Sequence, residues 1–223
     1  MVMIAPSLLS ADFTRLEEAV RLIEEAGADV VHIDIMDGHF VPNLTIGPRV
    51  VELLKAKTAL PLDVHLMVDT PHAVVPWFLD AGADWISIHA EASPHLHRDI
   101  ALIKTAGRKA GLALNPATPL AVLQEIVRDL DFVLLMGVNP GRGSQPFIDA
   151  TREKIRALRR WRDDLGLARP WIEIDGGVYL GNVAALVGDG AEIFVSGNAI
   201  FNTPDPREAV RRMKAAAEEV GAP

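Results

Sequence analysis

Cysteine is absent from the 223 residues, so disulfides and thiolate metal sites are both excluded. No apolar run approaches the ~18 uninterrupted residues that a membrane-spanning helix needs. The opening stretch, MVMIAPSLLSADF, lacks the basic segment and apolar core of a signal peptide. Basic side chains are in deficit, with 22 Lys and Arg against 30 Asp and Glu and a formal charge of -8. A field of that sign argues against nucleic acid and anionic membrane as partners. An anionic small molecule remains admissible, but only at a local site that overrides the overall field. No Gly- or Ser-rich linker, low-complexity tract or shift of composition divides the chain. The expectation is one cytoplasmic domain over residues 1–223, with 49% hydrophobic residues to fill its core.

What is present is a repeated alternation. Short apolar runs predict strands over Met3–Ser7, Val30–Met36, Leu62–Met67, Trp85–His89, Lys109–Leu114, Phe132–Met136, Trp171–Asp175 and Ile193–Ser196. Helical spacing follows each, over Thr14–Ala26, Val50–Lys57, Pro71–Ala81, Leu96–Ala106, Pro119–Asp129, Asp149–Leu165, Asn182–Gly188 and Pro206–Val220. Gly27 and Gly82 suit left-handed helix ends. Thr70, Thr118 and Asp205 each precede a proline as candidate N-caps, and Pro76 stands inside the third helix. Eight units of about 28 residues predict an α/β fold, a (β/α)₈ TIM barrel. An open doubly wound sheet would place a Gly-rich fingerprint after its first strand, and Pro6-Ser7-Leu8-Leu9-Ser10 is none.

Strand two, VVHIDIM, asks for an explanation. Alternation puts His32, Asp34 and Met36 on one face and Val31, Ile33 and Ile35 on the other. Burying an imidazole and a carboxylate without partners costs several kcal/mol, so something must meet them. His65 lies near the end of strand three and Asp175 closes strand seven, and barrel chemistry sits where strands end. His32, Asp34, His65 and Asp175 together suit one divalent ion such as Zn²⁺, Mn²⁺ or Fe²⁺, with Zn²⁺ favoured. Glu173 shares a face with Asp175 and is placed lower in the barrel. His89 ends strand four, lining the mouth or packed in the core or at the surface. His72, His95 and His97 fall at solvated helix starts, and Asp37, His39 and Asn43 shape the turn after strand two. Met36, Met67 and Met136, at strand ends, line the pocket or fill the core.

Two glycine turns suit an oxyanion. Asp175-Gly176-Gly177 follows strand seven and Ser196-Gly197-Asn198 follows strand eight, where such barrels bind phosphate. The segment Asn139-Pro140-Gly141-Arg142-Gly143-Ser144 after strand six reads as a lid.

The blocks APSLLSADF, HIDIMDGHFVPN, PLDVHLM, NPATPL, VNPGRGSQPFI, EIDGGV and SGNAIF, in that order, resemble those of the ribulose-phosphate 3-epimerase family. The resemblance spans nearly the whole chain. It implies a metal-dependent barrel that inverts C3 of D-ribulose 5-phosphate to give D-xylulose 5-phosphate. It further implies that His32, Asp34, His65 and Asp175 hold the metal and that Asp34 and Asp175 are the acid/base pair. Ser7 and His65 match substrate contacts, while Gly141, Arg142, Gly143, Ser144, Gly176, Gly177, Gly197 and Asn198 match lid and phosphate positions. The partner is then a small sugar phosphate, and the expected state is a homo-oligomer. The family lid usually reads Gly-aromatic-Gly-Gly, and serine usually stands where Asn198 does. These departures leave open a hexulose phosphate such as D-allulose 6-phosphate. A non-catalytic sugar-phosphate-binding barrel is the remaining alternative, and both Asp34 and Asp175 count against it.

Overall fold

The structure is a computed structural model that describes residues 2–221. Eight parallel strands form one sheet: β1 (Met3–Pro6), β2 (Val31–Met36), β3 (Leu62–Met67), β4 (Trp85–His89), β5 (Lys109–Leu114), β6 (Phe132–Met136), β7 (Trp171–Asp175) and β8 (Ile193–Ser196). Their spatial order is β1-β8-β7-β6-β5-β4-β3-β2, and a parallel bridge from Ser7 to His32 brings β1 against β2. The strands therefore curl into a nearly closed (β/α)₈ barrel. The first strand ends at Pro6, and Ser7 serves that bridge instead.

Helices α1 (Leu16–Glu25), α2 (Pro48–Lys55), α3 (Pro71–Asp80), α4 (Leu96–Thr105), α5 (Ala150–Asp164), α6 (Val183–Asp189), α7 (Asn198–Phe201) and α8 (Pro206–Gly221) follow in chain order. They cover the outward strand face, where Ile4, Ile33, Val64, Ile86, Leu112, Val133, Ile174 and Phe194 join one aliphatic core with Val20, Phe78, Ile103 and Leu158. Both faces of every central strand are buried, which is why these segments read as unbroken apolar runs.

Several sequence expectations are corrected. The segment expected as a helix over Pro119–Asp129 is two 3₁₀ turns, Leu120–Leu123 and Val127–Asp129. Its apolar side chains Leu120, Leu123 and Ile126 recur every three residues, the period at which a 3₁₀ turn aligns them. Neither Thr70 nor Thr118 caps a helix with its side chain. The Thr118 hydroxyl donates to Glu91 instead, whereas Asp205 does accept from the Glu208 N–H. The first helix opens as a 3₁₀ turn, Phe13–Arg15, capped by Asp12, and becomes α-helical only at Leu16. Helix α3 runs through Pro76, and α7 was not expected at all.

The lumen is layered. Its N-terminal floor holds Val30, Trp85, Phe132 and Ile193, with Trp85 centroids 5.8 Å from Phe132 and 5.6 Å from Trp171. The Lys109 ammonium lies over both indoles, at 5.3 and 5.9 Å. Gly111 makes room for this floor, since a Cβ there would sit 2.3 Å from the Phe132 ring. Above it come the polar side chains.

Candidate metal centre and active site

Strand alternation and parallel register together raise a polar crown at the C-terminal end of the lumen. Register places His32 beside Asp63 and Asp34 beside His65 on neighbouring strands. His65 Nδ1 lies 3.2 Å from Asp34 Oδ1 and 3.7 Å from Asp175 Oδ2, and His32 Nε2 lies 3.4 Å from Asp34 Oδ1. The Ser7 hydroxyl donates to the other oxygen of Asp34 at 2.5 Å. The structure thus brings together all four side chains singled out as ligands, and Ser7 with them. His72, His95 and His97 stay exposed, away from this cluster.

One donor atom from each of His32, Asp34, His65 and Asp175 lies within 4.8 Å of every other. Small side-chain movements would gather them around a single ion at bond lengths of ~2.1 Å. His32 supplies a sharper test. Its Nδ1 is engaged by Asp63 Oδ2 at 2.7 Å, while Nε2 is buried, faces Asp34 and makes no hydrogen bond. Engaging the far nitrogen with a carboxylate leaves the near one free as a ligand, the usual second-sphere arrangement of metal-bound histidine. The residues present fit a divalent ion.

The electrostatics of the cluster are uneven. Burial opposes ionisation of Asp34, but the His32 imidazole 3.4 Å away outweighs it and holds that carboxyl well below the usual range. Asp175 goes the other way, pushed up to about 7 by burial and by the nearby Asp34 carboxylate. Burial lowers His65 to about 4. It would lower His32 too, yet Asp34 and Asp63 on either side raise that group well above its ordinary value. Glu173, buried beneath the cluster with Asp63 nearby, is raised well above the carboxylate range. It sits 3.6 Å from His32 Nδ1, lower in the barrel as its position implied.

A pocket of about 240 Å³ opens onto Asp34 and Asp175 and is roofed by the loops after β6, β7 and β8. Met36, Met67 and Met136 are buried and line it, so they serve as core and pocket wall at once. Gly176 and Gly177, Gly197 and Asn198, and the lid Gly141–Ser144 with Arg142 at its tip all line its mouth. The glycines of the first two turns are required by close packing. A Cβ on Gly177 would meet the Phe147 backbone at 2.7 Å, and one on Gly197 would meet Ser10 Oγ at 2.4 Å. The turns are braced further by Ser196 Oγ donating to the Val178 carbonyl at 2.9 Å.

Two of the three positions at which the chain departs from the pattern it resembles, Ser144 and Asn198, meet in space, while Arg142 is the third. Asn198 donates from its side-chain amide to the Ser144 hydroxyl. Ser144 has φ 59, a left-handed conformation costing a non-glycine residue about 1–2 kcal/mol, and this contact helps to hold it. Sequence reasoning missed Asp63, Gln145 and Glu91. Gln145 donates to the carbonyls of Asn139 and Arg142 at 2.7 and 2.9 Å, pinning the lid. Asp63 lies on the same strand face as His65 and could have been found by that parity.

Fold and site together define a (β/α)₈ barrel with a candidate divalent-metal centre and two carboxyl groups at the strand ends. The model of the Ribulose-phosphate 3 epimerase family matches residues 3–201. The chain belongs to that family, and it is an enzyme, an isomerase of the epimerase kind. The Ribulose-phosphate 3-epimerase of Bacillus subtilis (strain 168) is 49% identical over 214 residues, covering 96% of this chain and 99% of its own. Ribulose-phosphate 3-epimerase 1 of Cupriavidus necator is 53% identical over 207 residues, covering 92% and 86% respectively. Among solved structures, KGPDC from Streptococcus mutans superposes with TM-score 0.74 at 15% identity, over 99% of both chains. The 3-hexulose-6-phosphate synthase from Salmonella typhimurium gives 0.72 at 15% identity, over 98% of this chain and 100% of its own. At that identity the likeness to these two shows the fold alone.

Proposed function

We propose that this chain inverts C3 of D-ribulose 5-phosphate, interconverting it with D-xylulose 5-phosphate, and that Asp34 and Asp175 are its two proton-transfer groups. The observation that carries the assignment is the placement of two carboxyls at the ends of β2 and β7, where both open onto one pocket. In the metal-free site the His32 imidazole overcomes burial to hold Asp34 ionised, whereas burial and the Asp34 carboxylate push Asp175 up to about 7. Such a pair is what a two-base inversion needs: a base on one face of the carbon and an acid on the other. The ionised carboxylate takes the C3 proton, leaving an enediolate, and the protonated carboxyl delivers its proton to the opposite face. The reverse reaction exchanges their roles, so no proton is created or lost.

His32, Asp34, His65 and Asp175 would hold the divalent ion, for which their nitrogen and oxygen donors favour Zn²⁺ over harder cations. When bound, it supplies Lewis acidity toward the oxygens flanking C3. Ser7 donates to Asp34 and so fixes the carboxylate's orientation in the pocket. Met36, Met67 and Met136 exclude water from the reacting carbon. Gly176, Gly177, Gly197 and Asn198 take the phosphate at the mouth, and Gly141–Ser144, with Arg142, closes over it. The same reading takes residues 1–223 as a single catalytic domain working in the cytoplasm as a homo-oligomer, checked by cell fractionation and light scattering.

Proton NMR in D₂O with zinc-loaded enzyme and D-ribulose 5-phosphate tests the assignment. The C3 proton signal should vanish as the xylulose isomer appears. A folded, zinc-loaded protein that leaves that proton in place, or that exchanges it only in a hexulose phosphate, would overturn the pentulose assignment.

A further inference from the structure

His65 turns Nδ1 toward Asp34 and Asp175, and the mechanism above gives its other ring nitrogen no task. That nitrogen, Nε2, lies 2.9 Å from Nε2 of His89, and His89 Nδ1 lies 3.1 Å from Oε2 of Glu91. Both imidazoles are fully buried, so each nitrogen must find its partner within the protein. The rings are tilted by 27° with centroids 5.0 Å apart, so with their nitrogens at 2.9 Å they meet edge to edge.

The chemistry of the partners fixes where each hydrogen sits. An ionised carboxylate only accepts, so the hydrogen between Glu91 and His89 belongs to His89 Nδ1. A neutral imidazole carrying hydrogen at Nδ1 accepts at Nε2, so His65 must donate from its Nε2. That leaves His65 Nδ1 bare, 3.2 Å from Asp34 and 3.7 Å from Asp175. A lone pair and a carboxylate oxygen held that close in a buried site call for a cation between them.

The carboxylate at the far end is itself anchored. Glu91 accepts from the Asn115 N–H at 2.8 Å and from the Thr118 hydroxyl. Lys154 on α5 holds that turn, donating to the carbonyls of Asn115, Pro116 and Thr118 at 3.1, 2.8 and 2.7 Å. Although partial burial opposes it, the hydrogen bonds with His89, with the Thr118 hydroxyl and with the Asn115 N–H bring Glu91 down to about 2, so it stays ionised.

We propose that His89 and Glu91 form a positioning relay that holds His65 as its Nε2–H tautomer and presents Nδ1 to the divalent ion. The relay rests on the metal reading of the site, and the test separates the two. Zinc affinity is measured by chelator competition on the full chain, and ¹⁵N NMR assigns the imidazole tautomers of the zinc-loaded protein. The wild type should show hydrogen on Nε2 of His65 and on Nδ1 of His89. His89→Leu should weaken zinc binding about 10–100-fold. His89→Gln, whose amide can accept from His65 and donate to Glu91, should recover most of the loss. Hydrogen on Nε2 of His89 in the zinc-loaded wild type would overturn the relay and leave the metal site standing. So would a folded His89→Leu variant with zinc affinity within twofold. Failure of the wild type itself to bind zinc would overturn the metal site and the relay with it. The wild-type spectrum decides the matter even if the leucine variant does not fold.

Discussion

At the floor of the lumen Trp85, Phe132 and Trp171 pack ring against ring, while at its mouth His32, Asp34, His65 and Asp175 crowd charged and polar atoms together. Both regions come from inward-facing positions of the same eight strands. The floor is complete by itself: its apolar surface is buried against apolar neighbours, and the charge of Lys109 rests on the indoles. The crown is incomplete, with His32 Nε2 unpartnered and both oxygens of Glu173 and one of Asp63 lacking hydrogen bonds. Burying such groups costs stability, which the floor and the outer aliphatic core offset. The barrel thus separates the residues that hold it together from the residues that make it act.

Four changes probe that separation. The largest effect is expected of Asp34→Asn, which removes one proton-transfer group. Turnover should fall at least 10²–10⁴-fold, the typical contribution of one such group. The metal-free variant should stay folded with a modest fall in melting temperature, because the buried His32 imidazole loses the carboxylate charge 3.4 Å away. Turnover within tenfold of wild type would remove Asp34 from the chemistry. Phe132→Ala should show the opposite profile: about 3–5 kcal/mol of stability lost in denaturant titration, with kcat per folded molecule nearly unchanged. A kcat loss matching the Asp34 variant would mean that the two ends are not separable.

The third change tests the link between mouth and outer loops through pH. Glu91 titrates at about 2 when folded against an ordinary 4.5, so its contribution is complete above pH 4.5 and fades as pH falls toward 2. Its side chain is 24% exposed, and after allowance for solvent screening this amounts to about 1 kcal/mol. Thermal unfolding of the metal-free protein across that range should show the Glu91→Gln variant losing less stability on acidification than wild type. Equal slopes would mean that the carboxylate is not held as described. The smallest effect belongs to Arg142→Met, on the exposed lid: KM for the sugar phosphate should rise about fivefold or less with kcat held. A large kcat loss would give Arg142 a part in the reaction itself.

Much of the crown was legible because strand alternation is a local property. Once Val31, Ile33 and Ile35 are seen to face the helices, His32 and Asp34 must face the lumen. The strand limits follow from the same apolar runs: β3 to β8 begin and end where the sequence places them, and β1 and β2 are each one residue shorter at one end. The helical reading failed over Pro119–Asp129 because three-residue and 3.6-residue periods are nearly indistinguishable across two turns. His89 stayed ambiguous for a different reason. Its own strand says that it can face inward, but its partner stands on the neighbouring strand, and Glu91, two residues on, takes its other contacts from the turn after β5.

Spacing along single strands and the order of short blocks were enough to define the eight alternating units, the inward polar set His32, Asp34, His65 and Asp175, and the family to which they point. Which inward residues touch was left to the folded barrel. The pairing of Asp63 with His32, the edge-to-edge contact of His65 with His89, and the meeting of Ser144 with Asn198 all cross between elements. Such contacts depend on strand register and barrel closure, and those are set by packing the whole barrel at once rather than by any segment of it.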